Sequence, residues 1–383
     1  MKDFSFPGRI AGLRARFDLE AAKFQGIDAL IVSHPENVRY LTGFSGSSGL
    51  VVLTKTDALF FTDGRYAVQA EREVPGFERV VLPAGSILLV AAGDWLREQG
   101  ETENVSCIGF EADHIPYSAY RTLEQTLDPD DRAQQAVFAR SGDVEALRAI
   151  KDASEVAKIR AACQLADACF AHLCEFIQPG MTEARVAWEM ESYFRTHGAQ
   201  KLSFDPIVGS GANSALIHGR ASDRVIGSSG GPEFVLMDFG CVLDGYCSDI
   251  TRTVVIGGEP TAKMRHLYDS VLGAQLAALA AIKPGVEGKS VDALAREMLK
   301  DAGYGEMPHG LGHGLGRVVH DLPLPTFSPK ATVVLAAGMV ATVEPGIYIE
   351  GLGGVRIEDD VLVTESGCER LTLATKELIV LGN

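Results

Sequence analysis

The stretch VLMDFGCVLDGYCSDITRT, residues 235–253, sets Asp238 and Asp249 on either side of an Asp-Gly pair flanked by β-forming residues. Asp244-Gly245 has the composition of a two-residue type I′ hairpin turn, in which both central residues take positive φ. In that register position 238 faces 251, and 249 lies two residues along the same strand on the same face. The two carboxylates then become diagonal neighbours, roughly 7 Å apart at Cα and within reach of a shared ion. Their surroundings are apolar or small, so inward-pointing carboxylates repel unless a cation or a proton compensates them.

A second stretch, MVATVEPGIYIEGLGGVRIEDDVLVT at 339–364, repeats the device. Glu344 and Glu358 are equidistant from Gly351, the natural apex of a hairpin, and therefore face each other. Between the two hairpins lies HGLGHGLGRVVHD, residues 309–321, with His309, His313 and His320 among glycines that allow close backbone packing. Four carboxylates and one imidazole carry about −4, which two divalent cations neutralise, and such a pair activates water for hydrolysis. Oxygen and nitrogen donors of this kind suit Mn²⁺, Co²⁺, Fe²⁺ or Zn²⁺.

An internal repeat supplies the elements that position these groups. At an offset of 105, Lys158 matches Lys263, Arg160 matches Arg265, Ile177 matches Ile282, Pro179-Gly180 matches Pro284-Gly285, and Val186 and Gly198 match Val291 and Gly303. Each copy reads as a long helix, a Pro-Gly break, a second helix and glycine-punctuated strands. A duplicated ααββ unit implies two halves related by a pseudo-twofold, with a site between them.

Ahead of the repeat, Ile10, Leu13, Phe17 and Phe24 predict a helix over 8–25, stopped by Gly26. The runs at 28–33, 49–54 and 57–63 read as strands, and a helical stretch begins near Arg65. A polar, turn-rich segment at 128–143 marks a boundary, giving domains 1–138 and 143–383. The expected class is α/β (α+β), a small N-terminal α/β domain followed by the duplicated one.

With 383 residues, 46% hydrophobic and 22% charged, the composition is that of a soluble globular protein. A net charge of −16 excludes nucleic acid and anionic membrane as main partners. No apolar run reaches membrane-spanning length, and the start MKDFSFPGRI lacks the apolar core of a signal peptide, so a cytoplasmic location is expected. Seven cysteines, odd in number and without a CxxC pair, read as reduced thiols.

Taken together, DFGCVLDGYCSDITRT, HGLGHGLG, VEPGIY and VRIEDD resemble the pita-bread metallopeptidases, prolidase and aminopeptidase P among them. NVRYLTGFSG and FFTDGRYAVQA extend the resemblance to a creatinase/prolidase-like N-terminal domain. The resemblance implies Asp238, Asp249, His313, Glu344 and Glu358 as ligands of two divalent metal ions per subunit, Mn²⁺ first among them, with Asp249 and Glu358 bridging. It implies Glu344 as general base and then acid, His218 beside the substrate assisting proton transfer, and His320 contacting the substrate carbonyl and developing oxyanion. His309 and Arg356 match supporting substrate-binding positions. One departure is Arg317-Val318, where relatives carry an apolar residue and then an acid; the cation there is either a carboxylate anchor or a solvent-facing group.

The implied activity is Xaa-Pro dipeptidase, on small peptides with proline in second position, and the implied form is a homodimer. Aminopeptidase P acting on longer peptides is the near alternative. A creatinase-like hydrolase or a catalytically inactive binding protein of the same fold lies further off.

Overall fold

The computed structural model describes residues 6–18, 26–102, 105–129, 135–321 and 326–382, and it divides into two compact units, Met1–Leu147 and Arg148–Asn383. The division falls after the 138–143 boundary read from the sequence. The strand Ala136–Arg140 is the outer strand of the first unit's sheet, and Val144 and Leu147 of the following helix pack into that unit's core.

The first unit is built on a six-stranded mixed sheet in the order Glu78–Leu82, Ala58–Asp63, Gly49–Thr54, Ala29–Val32, Cys107–Glu111, Ala136–Arg140. Alternation along its strands sends side chains to two separate cores. Leu30, Val32, Val51, Leu53 and Phe60 enter one, while Ala29, Ile31, Val52, Leu59 and Phe61 enter the other. The opening helix is shorter than expected: Phe6–Arg14 is helical, turns follow to Asp18, and residues 19–25 lie outside the described residues.

In the second unit the repeat is visible element by element. Helices Ala153–Phe176 and Glu183–Thr196 recur as Ala262–Ala281 and Gly288–Asp301. Asp152 starts the first of these with a reciprocal capping box to Glu155, and Thr261 caps its counterpart through the Met264 N–H. Both long helices stop at the matched isoleucines, Ile177 and Ile282, whose backbone is extended. The Pro-Gly breaks are then pinned alike, with the Gly180 N–H donating to Ile226 O and the Gly285 N–H to Leu335 O, each at 2.9 Å.

The first pair of helices covers a four-stranded sheet ordered Val380–Leu381, Ile250–Ile256, Glu233–Phe239, Ile207–Ser210, and the second pair covers the strands that include Val340–Val343 and Asp359–Val363. Each half therefore has its own apolar core. All seven cysteines are free. Among the described residues, no helix is long and apolar enough to cross a membrane.

Candidate metal centre

The first hairpin has the predicted register. Asp244 and Gly245 both take positive φ, 48° and 77°, and Asp238 pairs with Thr251. In the second hairpin Gly346 pairs with Arg356 and Ile349 with Gly353 about Gly351, while further out Val343 pairs with Asp359. Glu344 and Glu358 fall opposite each other between these two ladders. There the strands part: the Glu344 N–H donates to Leu311 O at 2.8 Å and the Glu358 N–H to Thr251 O at 3.1 Å. The second hairpin is thereby stitched to the first through Thr251 and to the histidine-rich segment through Leu311.

That segment runs along the strand Val340–Val343. The Thr342 N–H donates to His313 O at 2.8 Å and the Leu315 N–H to Val340 O at 3.0 Å. Gly312 makes the approach possible, since a Cβ there would lie 2.0 Å from Thr342 O.

Three of the expected ligands meet directly: one ligand atom each from Asp249, His313 and Glu358 lie within 4.8 Å of one another. His313 Nε2 is 3.6 Å from both Asp249 Oδ2 and Glu344 Oε1. Its Nδ1 lies 3.1 Å from Gly314 O, a carbonyl that only accepts, so the ring proton belongs on Nδ1 and Nε2 presents a lone pair to the two carboxylates. Burial holds this imidazole down at about 4, with His320 pushing the same way, so it is neutral at physiological pH.

The acids are correspondingly disfavoured as anions. Burial, followed by Glu358 and Asp238, pushes Asp249 well above the usual carboxylate range, and burial, Glu344 and Asp238 do the same to Glu358. Glu344 is pushed up to about 8, mainly by burial, against the pull of Arg356. Asp238 Oδ1 and Asp249 Oδ1 are buried with no hydrogen-bond partner. The Thr251 hydroxyl donates to Glu358, the Thr342 hydroxyl to Glu344 Oε1 at 3.3 Å and Arg356 to Asp238, yet acceptors outnumber these donors, which is the arrangement a multivalent cation satisfies.

Asp238 Oδ2 takes the buried guanidinium of Arg356. Arg356 also donates to the Tyr348 hydroxyl at 2.7 Å and to Thr251 Oγ1 at 3.1 Å. Tyr348 OH lies 2.9 Å from His309 Nε2, and His309 Nδ1 lies 2.8 Å from Gly310 O. The chain is consistent only if Nδ1 carries the proton and Tyr348 donates to Nε2; burial, holding His309 at about 4, agrees with a neutral ring. Arg356 and His309 therefore brace Asp238 from behind.

His320 packs edge-on against His313, with ring centroids 4.2 Å apart, and it is exposed. His218, also exposed, follows the short helix Gly211–Ala215 and is close enough to act electrostatically on both His309 and His320. Arg317, by contrast, does not face solvent. It is buried, with its guanidinium 5.1 Å from the centre of the Tyr246 ring.

Several participants escape a reading of spacing alone. Thr251 donates its hydroxyl to Glu358 Oε2 at 2.6 Å, and Asp360 Oδ2 accepts the Asp249 N–H at 2.9 Å and the Cys163 thiol at 3.3 Å. Thr251 was accessible in principle, because the turn register places it opposite Asp238. Tyr348 and Asp360 carried no such signal.

The model of metallopeptidase family M24 matches residues 157–365, and that of the creatinase/prolidase N-terminal domain matches residues 14–150. An Xaa-Pro dipeptidase of Pyrococcus furiosus is 38% identical over 92% of this chain and 95% of its own. The solved structure of an Xaa-Pro dipeptidase from Bacillus anthracis is 41% identical, with a TM-score of 0.89 over 98% of this chain and 100% of its own. That of an X-Pro aminopeptidase from Thermotoga maritima is 36% identical, with a TM-score of 0.82 over 93% and 98%. With both of its units matched and the fold shared end to end, this chain belongs to metallopeptidase family M24.

Proposed function

We propose that this enzyme hydrolyses Xaa-Pro dipeptides and that Asp238, Asp249, His313, Glu344 and Glu358 hold two divalent ions, Mn²⁺ first, with Co²⁺, Zn²⁺ or Fe²⁺ as alternatives. The observation that carries the reading is the convergence of the His313 Nε2 lone pair with the Asp249 and Glu344 carboxylates at 3.6 Å. The chemistry supplied by bound ions would be Lewis-acid polarisation of the scissile carbonyl and activation of water near neutral pH.

The remaining work falls to side chains of this chain. Glu344, whose Oε1 lies 3.6 Å from His313 Nε2, can accept a proton from the attacking water and return it to the leaving imino nitrogen. His320 and His218, both exposed beside the cluster, are placed to meet the substrate carbonyl and the proton in transit. Arg356, held by Tyr348, fixes the Asp238 carboxylate. An Xaa-Pro bond is a tertiary amide without N–H, so a site that grips the carbonyl rather than pairing the substrate as a strand suits it.

The likeness to the Thermotoga maritima X-Pro aminopeptidase favours a second reading, removal of a residue ahead of proline from longer peptides. The test is protein stripped with chelator, resupplied with Mn²⁺ or Co²⁺, and assayed on an X-Pro dipeptide and an X-Pro tripeptide. Restored dipeptide cleavage is expected. Cleavage of the tripeptide alone selects the aminopeptidase, and no cleavage of either selects a binding protein of the same fold. The family resemblance also supports a cytoplasmic homodimer, for which light scattering should give twice the 40.9 kDa chain mass.

A further inference from the structure

His320 is exposed at the metal centre, yet its neighbour Asp321 is among the most buried charges of the unit, 2% exposed. Asp321 Oδ1 meets Arg148 Nη2 at 2.9 Å, and Arg148 is equally buried. Asp321 Oδ2 accepts the Arg317 N–H at 3.1 Å, and the Asp321 N–H donates to Gly314 O at 2.8 Å. The loop that leaves His313 and returns to His320 is therefore closed on one carboxylate. Gly316 lies across it so closely that a Cβ there would stand 2.4 Å from Asp321 Oδ2 and 3.2 Å from Lys151 Cε. Nothing in the hydrolytic chemistry needs Arg148 or Asp321 directly.

We propose that the buried Arg148–Asp321 ion pair is a positioning device that sets the direction of the His320 imidazole against His313. Among the described residues the exposed ring has one ring contact, the edge-on one with His313, so its direction depends on where its backbone is held. Its backbone is fixed by the residue behind it, anchored through a charge-assisted bond in a dry setting where such bonds are strong. A misplacement of about 1 Å at a catalytic group can cost on the order of a hundredfold in rate. The ion pair thus acts on the reaction through His320 and not on substrate or ions.

The inference rests on the peptidase reading for its kinetic arm, so the experiment carries a second arm that does not. Ring signals of the histidines are recorded by NMR on the metal-free protein, with those of His320 identified by their loss in His320→Ala. Asp321→Asn keeps the shape and one acceptor while removing the charge; it is expected to shift and broaden the His320 signals and leave those of the distant His172 and His197 in place. In kinetics on an X-Pro dipeptide, Asp321→Asn should lower kcat about ten- to a hundredfold in the wild-type background and less than about twofold in the His320→Ala background. Unmoved His320 signals, or the same loss of kcat in both backgrounds, overturn the inference. Should Asp321→Asn fail to fold, Arg148→Lys, which retains the charge at shorter reach, is read by the same criteria. A wild-type chain inert on X-Pro dipeptides defeats the peptidase reading alone, because the ring signals still decide this one.

Discussion

Glu358 and Asp359 are adjacent in sequence, equally buried, and opposite in condition. Asp359 meets Arg252 at 2.7 Å, Lys376 at 2.8 Å, Gln275 at 2.9 Å and the Thr372 hydroxyl at 3.2 Å. Although burial pushes it up, Arg252 and Lys376 more than offset this, and its carboxyl is held down at about 2. Glu358, on the other face, has the Thr251 hydroxyl as a donor and faces Glu344 and Asp238, which with burial push it far up. One carboxylate brings its counter-charge within the chain; the other waits for one from outside. The fold pairs Asp359 with Arg252 and Lys376, whereas among the described residues no Lys or Arg forms an ion pair with Glu358 or Asp249, so the shortfall is a feature of the site and not of burial itself.

The contrast can be broken most severely on the Glu358 side. Asp249→Asn should lower kcat/KM by about a thousandfold or more, because several kcal/mol of transition-state stabilisation pass through this site. The same variant, stripped of metal, should melt no lower than the stripped parent, since a neutral amide relieves the repulsion; thermal melts with and without chelator check both halves. On the Asp359 side the order reverses. Arg252→Met leaves a buried carboxylate with less than its due and should destabilise the fold by about 3–5 kcal/mol in urea unfolding, whether or not metal is present.

A smaller effect sharpens the comparison through pH. Asp249, Glu344 and Glu358 have folded-state pKa values above their unfolded ones, near 4, so their protonated forms favour folding below that pH, and the benefit is lost as pH rises towards about 8 for Glu344. The melting temperature of stripped protein should therefore fall by several degrees between pH 5 and pH 8, with added Mn²⁺ raising it most at pH 8. Asp359 works the other way: its contribution is present above about pH 4 and is lost only as pH falls through about 2. Smallest of all, Tyr348→Phe removes one hydroxyl from the Arg356–His309 chain and should cost about tenfold in kcat/KM, on the order of one buried hydrogen bond.

How far the sequence reached depended on whether a feature was local. The Asp-Gly turn is a two-residue signal, and once it is placed the pairing of Asp238 with Thr251 follows by counting. Gly351 did the same for Glu344 and Glu358, and the repeat, with its matched isoleucines and Pro-Gly pairs, gave the helices of both halves. Beyond the reach of counting lay contacts made across the unit, such as Arg252 with Asp359, Arg148 with Asp321, and Asp360 with the Asp249 backbone. These join residues more than a hundred positions apart, with no period to betray them. Arg317 shows the same limit, since only tertiary structure reveals Tyr246 beneath it. The short opening helix is an error of extent, where helical spacing outran the helix.

The acidic cluster must receive positive charge from outside the chain. The most direct measurement is anomalous diffraction from crystals of the protein grown with Mn²⁺. It should show two peaks among Asp238, Asp249, His313, Glu344 and Glu358, and both should vanish in Asp249→Asn. A map without anomalous density there, from protein that cleaves X-Pro dipeptides, would contradict it.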